Sequence, residues 1–439
     1  MTQEGVQQTE PVDNTIISTA VPRITHDFRS IDDVGWYASI YPLTSCAFQP
    51  SYGKVYTLFS SKIVFLAALL IFEIGSVVCA TAPNSHIFIL GRALAGLGSA
   101  GIQAGTTLIL AECVPLRQRP TWNSIIGSMF AVGSVVGPLL GGAFSDSTTW
   151  RWCFYINLPI GGAVMIFIAL FYDGSRGGQR AFESTGFRSQ IARFDLAGTF
   201  TFMSATICLL LALSWGGTTY AWNNACIIAL LTVAGVLFCS FITIEYRMKD
   251  SAIIPLRLLR KPSIVAAILF GICLGGVFFP QHTSRAKWVG FQILCGAGIG
   301  LGEEQGLYMV QTTLLETDVA TGIGLVLFAQ TLGGAFFVSV AQAVFLQNIS
   351  KALKTLAPNL SPKSVLSGVA PGSSQELRAV YGLAIKDVFR VGLILGTVSS
   401  LGAVLYDWKS LKTKHDDRND QHVSSHELEH VAEVRTKDK

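Results

Sequence analysis

Charge is what this chain most lacks. Asp, Glu, Lys and Arg make up 14% of its 439 residues, against about 25% in a soluble globular domain. Half of the residues are hydrophobic, and apolar runs of membrane-spanning length recur from end to end. Water-soluble enzymes are therefore excluded, and a net charge of +4 gives no reason to expect a nucleic-acid partner. Paired cysteines are also missing. The nine cysteines stand singly, mostly in apolar runs (Cys79, Cys208, Cys239, Cys273, Cys295), and none forms a C-x-x-C pair. They read as packing residues, and no metal or cofactor is expected. No cleavable signal is expected from the residues given: the first eleven are polar and the apolar run after them is short.

What is present is a series of apolar segments, about twelve in number. The first, Val12 to Pro22, is about one third to one half of a crossing at 1.5 Å per residue, so it reads as the end of a helix. Val34–Phe59, Ile63–Ala82, Ile87–Glu112, Trp122–Phe144, Trp152–Tyr172, Phe194–Trp215 and Ala225–Tyr246 follow. Ser263–Pro280, Trp288–Val310, Val319–Leu346 and Val388–Tyr406 complete the set. The fold class is an all-α polytopic membrane protein. Its expected organisation is a first membrane half over 1–172, two linker spans over 173–262, an incomplete second half over 263–408, and a disordered tail over 409–439.

Loops alternate in basic charge. Arg117 and Arg119 fall in one short loop, Arg176, Arg180, Arg188 and Arg193 in another, and Arg247, Lys249, Arg257, Arg260 and Lys261 in a third. The intervening loops at 83–86 and 216–224 carry no Lys or Arg. The basic loops are thus expected in the cytoplasm, together with both chain ends. Arg151 and the loop holding Arg23 and Arg29 are minor exceptions. Asn348 and Asn359 head glycosylation sequons, both in the long loop expected outside.

The chain is organised around Gly133-Ser-Val-Val-Gly137-Pro138-Leu-Leu-Gly141-Gly142. Glycines four apart stack on one helix face, which lets a neighbouring backbone approach closely. Pro138 cannot donate to the carbonyl of Ser134, so the helix should bend there. Two readings stay open for this stretch, a tight static contact and a hinge-like contact in a transporter. Ionisable groups inside membrane segments are costly and are functional candidates by default. Three stand out: Asp13, Glu73 and Arg92. Asp13 reads either as a helix N-cap at the water boundary or as a coupling group. Glu73 reads either as a structural partner of a neighbouring helix or as part of a proton path. Arg92 either snorkels to the surface or serves the same path.

Taken together these residues resemble the major facilitator superfamily, in particular its fungal fourteen-span drug:proton antiporters. Gly133–Gly142 is similar to that family's antiporter motif, with its Gly-Pro and Gly-Gly. Arg92-Ala-Leu-Ala-Gly96-Leu-Gly98-Ser-Ala-Gly101 resembles the fourth-helix motif, whose arginine is implicated in proton coupling. Asp13-Asn-Thr-Ile with Ala20-Val-Pro22 looks like the end of the first helix. Gly53, Lys54 and Lys62 sit where the loop motif between helices two and three belongs, although its usual aspartate is absent. Trp150-Arg-Trp-Cys-Phe-Tyr-Ile-Asn157-Leu-Pro159 and Trp215–Trp222 also look like this subgroup.

The resemblance implies a major facilitator fold, here with an incomplete second half. Two spans and the end of a third are expected between Phe279 and Trp288, where Pro280–Lys287 joins the flanking segments directly. The implied function is proton-coupled efflux of a small apolar organic molecule, such as a fungal toxin, drug or secondary metabolite. Its partners would be that substrate, protons and the lipid bilayer, with the chain a monomer. The cell membrane is the expected location, a vacuolar or vesicular membrane the variant. An importer of the same fold and a non-transporting, degenerate membrane protein are the alternatives.

Overall fold

The computed structural model describes residues 19–30, 33–115, 117–174, 195–216, 220–248, 305–314 and 316–356, with isolated positions elsewhere. Among these, the chain is a bundle of helices. α1 takes residues 19–28. α2 is Val34–Leu58, α3 Ser61–Thr81, α4 Ser85–Cys113, α5 Arg119–Ser147, α6 Trp152–Tyr155 and α7 Asn157–Phe171. α8 is Leu196–Trp215, α9 Ala225–Met248, α10 Gln305–Thr313 and α11 Glu316–Leu356. Among the described residues, five spans, on α3, α4, the α6–α7 pair, α9 and α11, are long and apolar enough to cross a membrane.

Local chemistry sets the helix ends. The Asn84 side chain accepts from the Ile87 amide at 3.0 Å and starts α4, while Asp195 accepts from the Gly198 amide at 2.7 Å and starts α8. α5 opens with Pro120 in its first turn, where a missing donor costs nothing.

α2 is not among the apolar spans, because Ser45, Gln49, Ser51 and Lys54 are buried along it. Its main neighbours among the described helices are α4, α8 and α11. α4 lies between α2 and α3, with Gly96 facing Tyr41 and Thr44 on one side and Gly98 facing Phe72 on the other. Val132, Val135, Val136 and Leu139 of α5, by contrast, are exposed, as suits a lipid-facing surface.

Two apolar cores result. The larger joins Tyr41, Phe65, Phe72, Ile102, Phe202, Phe241, Val310 and Val326. The smaller sits at one end of the first helices and is aromatic. There Phe88 meets Tyr37, Trp150 and Phe154 edge-on, at centroid distances of 5.2, 5.6 and 5.5 Å.

Several boundaries differ from the sequence expectation. α1 runs past Pro22 to residue 28, so Arg23 is helical. Burial of Ile24 and the packing of Phe28 on Trp150 at 5.6 Å carry the helix on; it ends at Arg29, which has a φ of 53°. The span expected at Trp152–Tyr172 is present over Trp152–Phe171, with Ile156, in helical backbone geometry, marking the junction of α6 and α7. Gly53 and Lys54, which resemble part of a loop motif, lie in the last turns of α2, within the expected segment Val34–Phe59, and only Phe59 and Ser60 separate α2 from α3. α11 continues to Leu356, which makes Asn348 part of a helix rather than of a loop. Asp13, Asn359, Pro280–Lys287 and the tail lie outside the described residues.

Candidate functional site

Arg92 is fully buried in α4. Its guanidinium carbon lies 4.4 Å from the centroid of the Tyr41 ring on α2. The crossing is tight because Gly96, one turn on, brings the α4 backbone against the Tyr41 carbonyl and the Thr44 hydroxyl. A side chain there would push α2 and α4 apart. Further along the same pair, Gln49 Nε2 donates to Gln103 Oε1 at 2.8 Å, and the Tyr56 hydroxyl donates to the Gly101 carbonyl at 2.8 Å. The α2–α4 interface is thus a ladder of polar contacts in a dry place, where each hydrogen bond is strong and its loss costly.

Glu73 is also buried, but it faces a different helix. Its carboxylate lies against the Gly161 backbone of α7, in space that a Cβ there would fill. One turn toward the end of α3, Ser76 accepts from Asn157 Nδ2 at 3.2 Å. Arg151 then caps the end of α3, donating to the Ala80 carbonyl at 2.6 Å and the Ala82 carbonyl at 2.9 Å. Arg151, Asn157 and Gly161 therefore follow α3 in reverse order, as antiparallel packing requires. Glu73 and Arg92 serve two interfaces, α3–α7 and α2–α4.

The glycine face of α5 is where its spacing predicts. Gly133, Gly137 and Gly141 are buried, and Pro138 and Gly142 are half-buried. A Cβ on Gly141 would stand 2.6 Å from the Ile16 carbonyl and would also meet Thr19, so this face packs on the first helix. Among the described residues, a Cβ on Gly142 meets nothing within 4 Å.

Gly53 marks a second close approach, to α11. A Cβ on Gly53 would lie 2.9 Å from the Ala320 carbonyl, and one on Gly324 would lie 3.1 Å from the Gly53 Cα. Beside it the Thr57 and Thr321 hydroxyls are 3.2 Å apart. Lys54 is buried on the same helix. Lys62 turns away, its Nζ donating to the Ala169 carbonyl at 2.8 Å.

Three participants were not evident from sequence. Tyr41 looks like any span aromatic until its ring is placed over Arg92. Arg119, expected only as a basic loop residue, donates to the Val114 carbonyl at 3.0 Å, the Ala111 carbonyl at 2.5 Å and Gln311 Oε1 at 3.0 Å. It joins the end of α4 to α10. Glu112, at the end of α4, accepts from Ser61 at 2.9 Å and from the Tyr172 hydroxyl. Burial first, and then the bond to Glu112, raise the Tyr172 phenol above its usual range.

The model of the Major Facilitator Superfamily matches residues 10–338. MFS-type efflux pump MFS1 of Arthroderma benhamiae is 38% identical over 92% of this chain and 89% of its own length. Efflux pump aflT of Aspergillus parasiticus is 38% identical over 91% and 93%, and efflux pump roqT of Penicillium rubens 36% over 94% and 91%. With helices alone among the described elements, the chain belongs to the Major Facilitator Superfamily, as a multi-pass membrane transporter of small molecules in the group that holds these fungal pumps.

Proposed function

We propose that this transporter exports a small, largely apolar organic molecule, such as a fungal secondary metabolite, toxin or drug, in exchange for protons. Export is favoured by the relatives, which are named efflux pumps. The observation that carries proton coupling is Arg92, a cation held with no exposure in a span that crosses the core of the bundle. Such a group is expensive to keep inside a membrane, and function is the usual reason for its presence. A guanidinium keeps its charge at every physiological pH, so its part in coupling would be to act through its fixed positive field on the groups that carry the proton. Asp13 and Glu73 stand as further coupling candidates; Glu73, pressed on Gly161 away from the α2–α4 crossing, fits the structural reading better. The Gly133–Gly142 face supplies the contact that rocks. The chain works as a monomer in the cell membrane, with a vacuolar or vesicular membrane as the variant and the ends in the cytoplasm.

The experiment is expression in yeast with a fluorescent tag, followed by accumulation of a panel of lipophilic dyes. Accumulation should fall relative to empty vector, and a protonophore should abolish the difference. No change across the panel, with the tag at the surface, would count against export.

One observation favours a second reading. The match to the Arthroderma pump runs over 481 positions, more than the 439 residues of the chain, so that pump has residues with no counterpart here. This fits a deletion at Pro280–Lys287 and an incomplete second half, and with them a product that does not transport. Alternating access in this fold uses two matched repeats. The transcript across Pro280–Lys287, and efflux by a chain with the segment restored, distinguish the two.

A further inference from the structure

We propose that Tyr41 is the positioning residue for Arg92: the face of its ring, carried to the guanidinium by the α2–α4 crossing, fixes where that charge stands in the bundle. The proposal rests on the reading of Arg92 as a coupling residue. Arg92 has 0% exposure and Tyr41 1%, so their contact at 4.4 Å is made without water. A cation over an aromatic face is held more firmly when desolvated than at a surface.

Three features of the backbone converge on the position of the ring. Gly96 sets the separation of the helices at Tyr41, since a Cβ there would run into the Tyr41 carbonyl. Thr44 donates to both the Ile40 and the Tyr41 carbonyls at 3.0 Å, which ties down the α2 turn that carries the ring. Pro42 follows Tyr41 directly inside α2. Its missing donor frees the Ala38 carbonyl and favours a bend at this point. A residue that only filled space would need none of these. The contact with Arg92 is made by the face of the ring. A phenylalanine therefore keeps the device and an aliphatic residue of similar bulk removes it.

The test uses the full chain reconstituted in liposomes, with rhodamine 6G as the probe. Two rates are measured: accumulation driven by an imposed proton gradient, and exchange at equilibrium without one. Exchange needs the helices to move but not to couple. Tyr41→Leu should lower driven accumulation about tenfold while exchange stays within roughly twofold of the parent. Tyr41→Phe should retain both. If Tyr41→Leu removes exchange as well, Tyr41 is packing and the proposal is overturned. If Tyr41→Phe loses driven accumulation like Tyr41→Leu, the hydroxyl and not the ring is responsible, and the proposal again fails. Arg92→Gln separates this from the underlying reading. Driven accumulation that survives Arg92→Gln removes the coupling role of Arg92. Driven accumulation lost in Arg92→Gln but kept in Tyr41→Leu leaves Arg92 in place and removes Tyr41.

Discussion

Gly141 and Gly142 are neighbours in sequence with opposite surroundings. The first touches Ile16 and Thr19, while the second meets no described atom within 4 Å. Gly141→Leu should therefore destabilise the protein by about 1–3 kcal/mol, the usual cost of overpacking a close contact, and Gly142→Leu by much less. Thermal unfolding of the two variants in detergent checks this; equal losses would mean that the glycine face makes no special contact. Tyr172 gives a pH-dependent counterpart. Its phenol, raised by burial and by Glu112, keeps its proton in the folded state where the unfolded chain releases it. That contribution is complete below about pH 10 and declines above it. The stability advantage of the parent over Tyr172→Phe should accordingly shrink between about pH 10 and 11, as followed by unfolding across that range.

At the scale of elements, α2 and α11 meet at Gly53 and Gly324 with Thr57 and Thr321 beside them. If transport needs these helices to part, locking them stops it. In Thr57→Cys/Thr321→Cys an oxidant should form a disulfide and suppress dye efflux to about a tenth or less, with recovery on reduction; either single variant should be unaffected. Efflux that persists through complete cross-linking would show that α2 and α11 move together. The sequence made most of these elements legible, because a membrane span has to be a long apolar run: the ends of α3, α4, α8 and α9 fall within three residues of the expected segments. It was less informative where tertiary packing overrides local signals. Pro22 reads as a stop, yet buried Ile24 and half-buried Phe28 carry α1 beyond it. The polar residues after Leu346 read as a loop, yet α11 continues. The glycine spacing on α5 and the presence of Arg92 could be read directly. That Arg92 faces Tyr41 while Glu73 faces Gly161 could not, since partner choice depends on the rotation of each helix in the bundle.

Across the whole molecule, two sets of contacts stand at opposite ends. At one end Trp150 Nε1 donates to Asp27 at 2.7 Å, and Arg151 grips the last carbonyls of α3. These join early helices to one another. At the other end, Arg119 with Gln311, Thr57 with Thr321 and Gly53 with Gly324 join early helices to α10 and α11. If the basic loops lie in the cytoplasm, as proposed, the second set would close the inner end. Arg119 is the side chain that holds most there, since it grips two carbonyls at the end of α4 as well as Gln311. Arg119→Ala should loosen that end without disturbing the other. A reporter cysteine at Thr312, half-buried on α10, would read it in a background with the exposed Cys113, Cys226 and Cys239 changed to serine. Labelling by a membrane-impermeant maleimide in inside-out vesicles should rise in Arg119→Ala. Arg151→Ala is the control. It loses two hydrogen bonds from a charged group and should cost about 2 kcal/mol of stability, yet leave the labelling rate as in the parent. If both variants raise labelling equally, the early helices do not behave as one body, and closure of the inner end does not depend on Arg119.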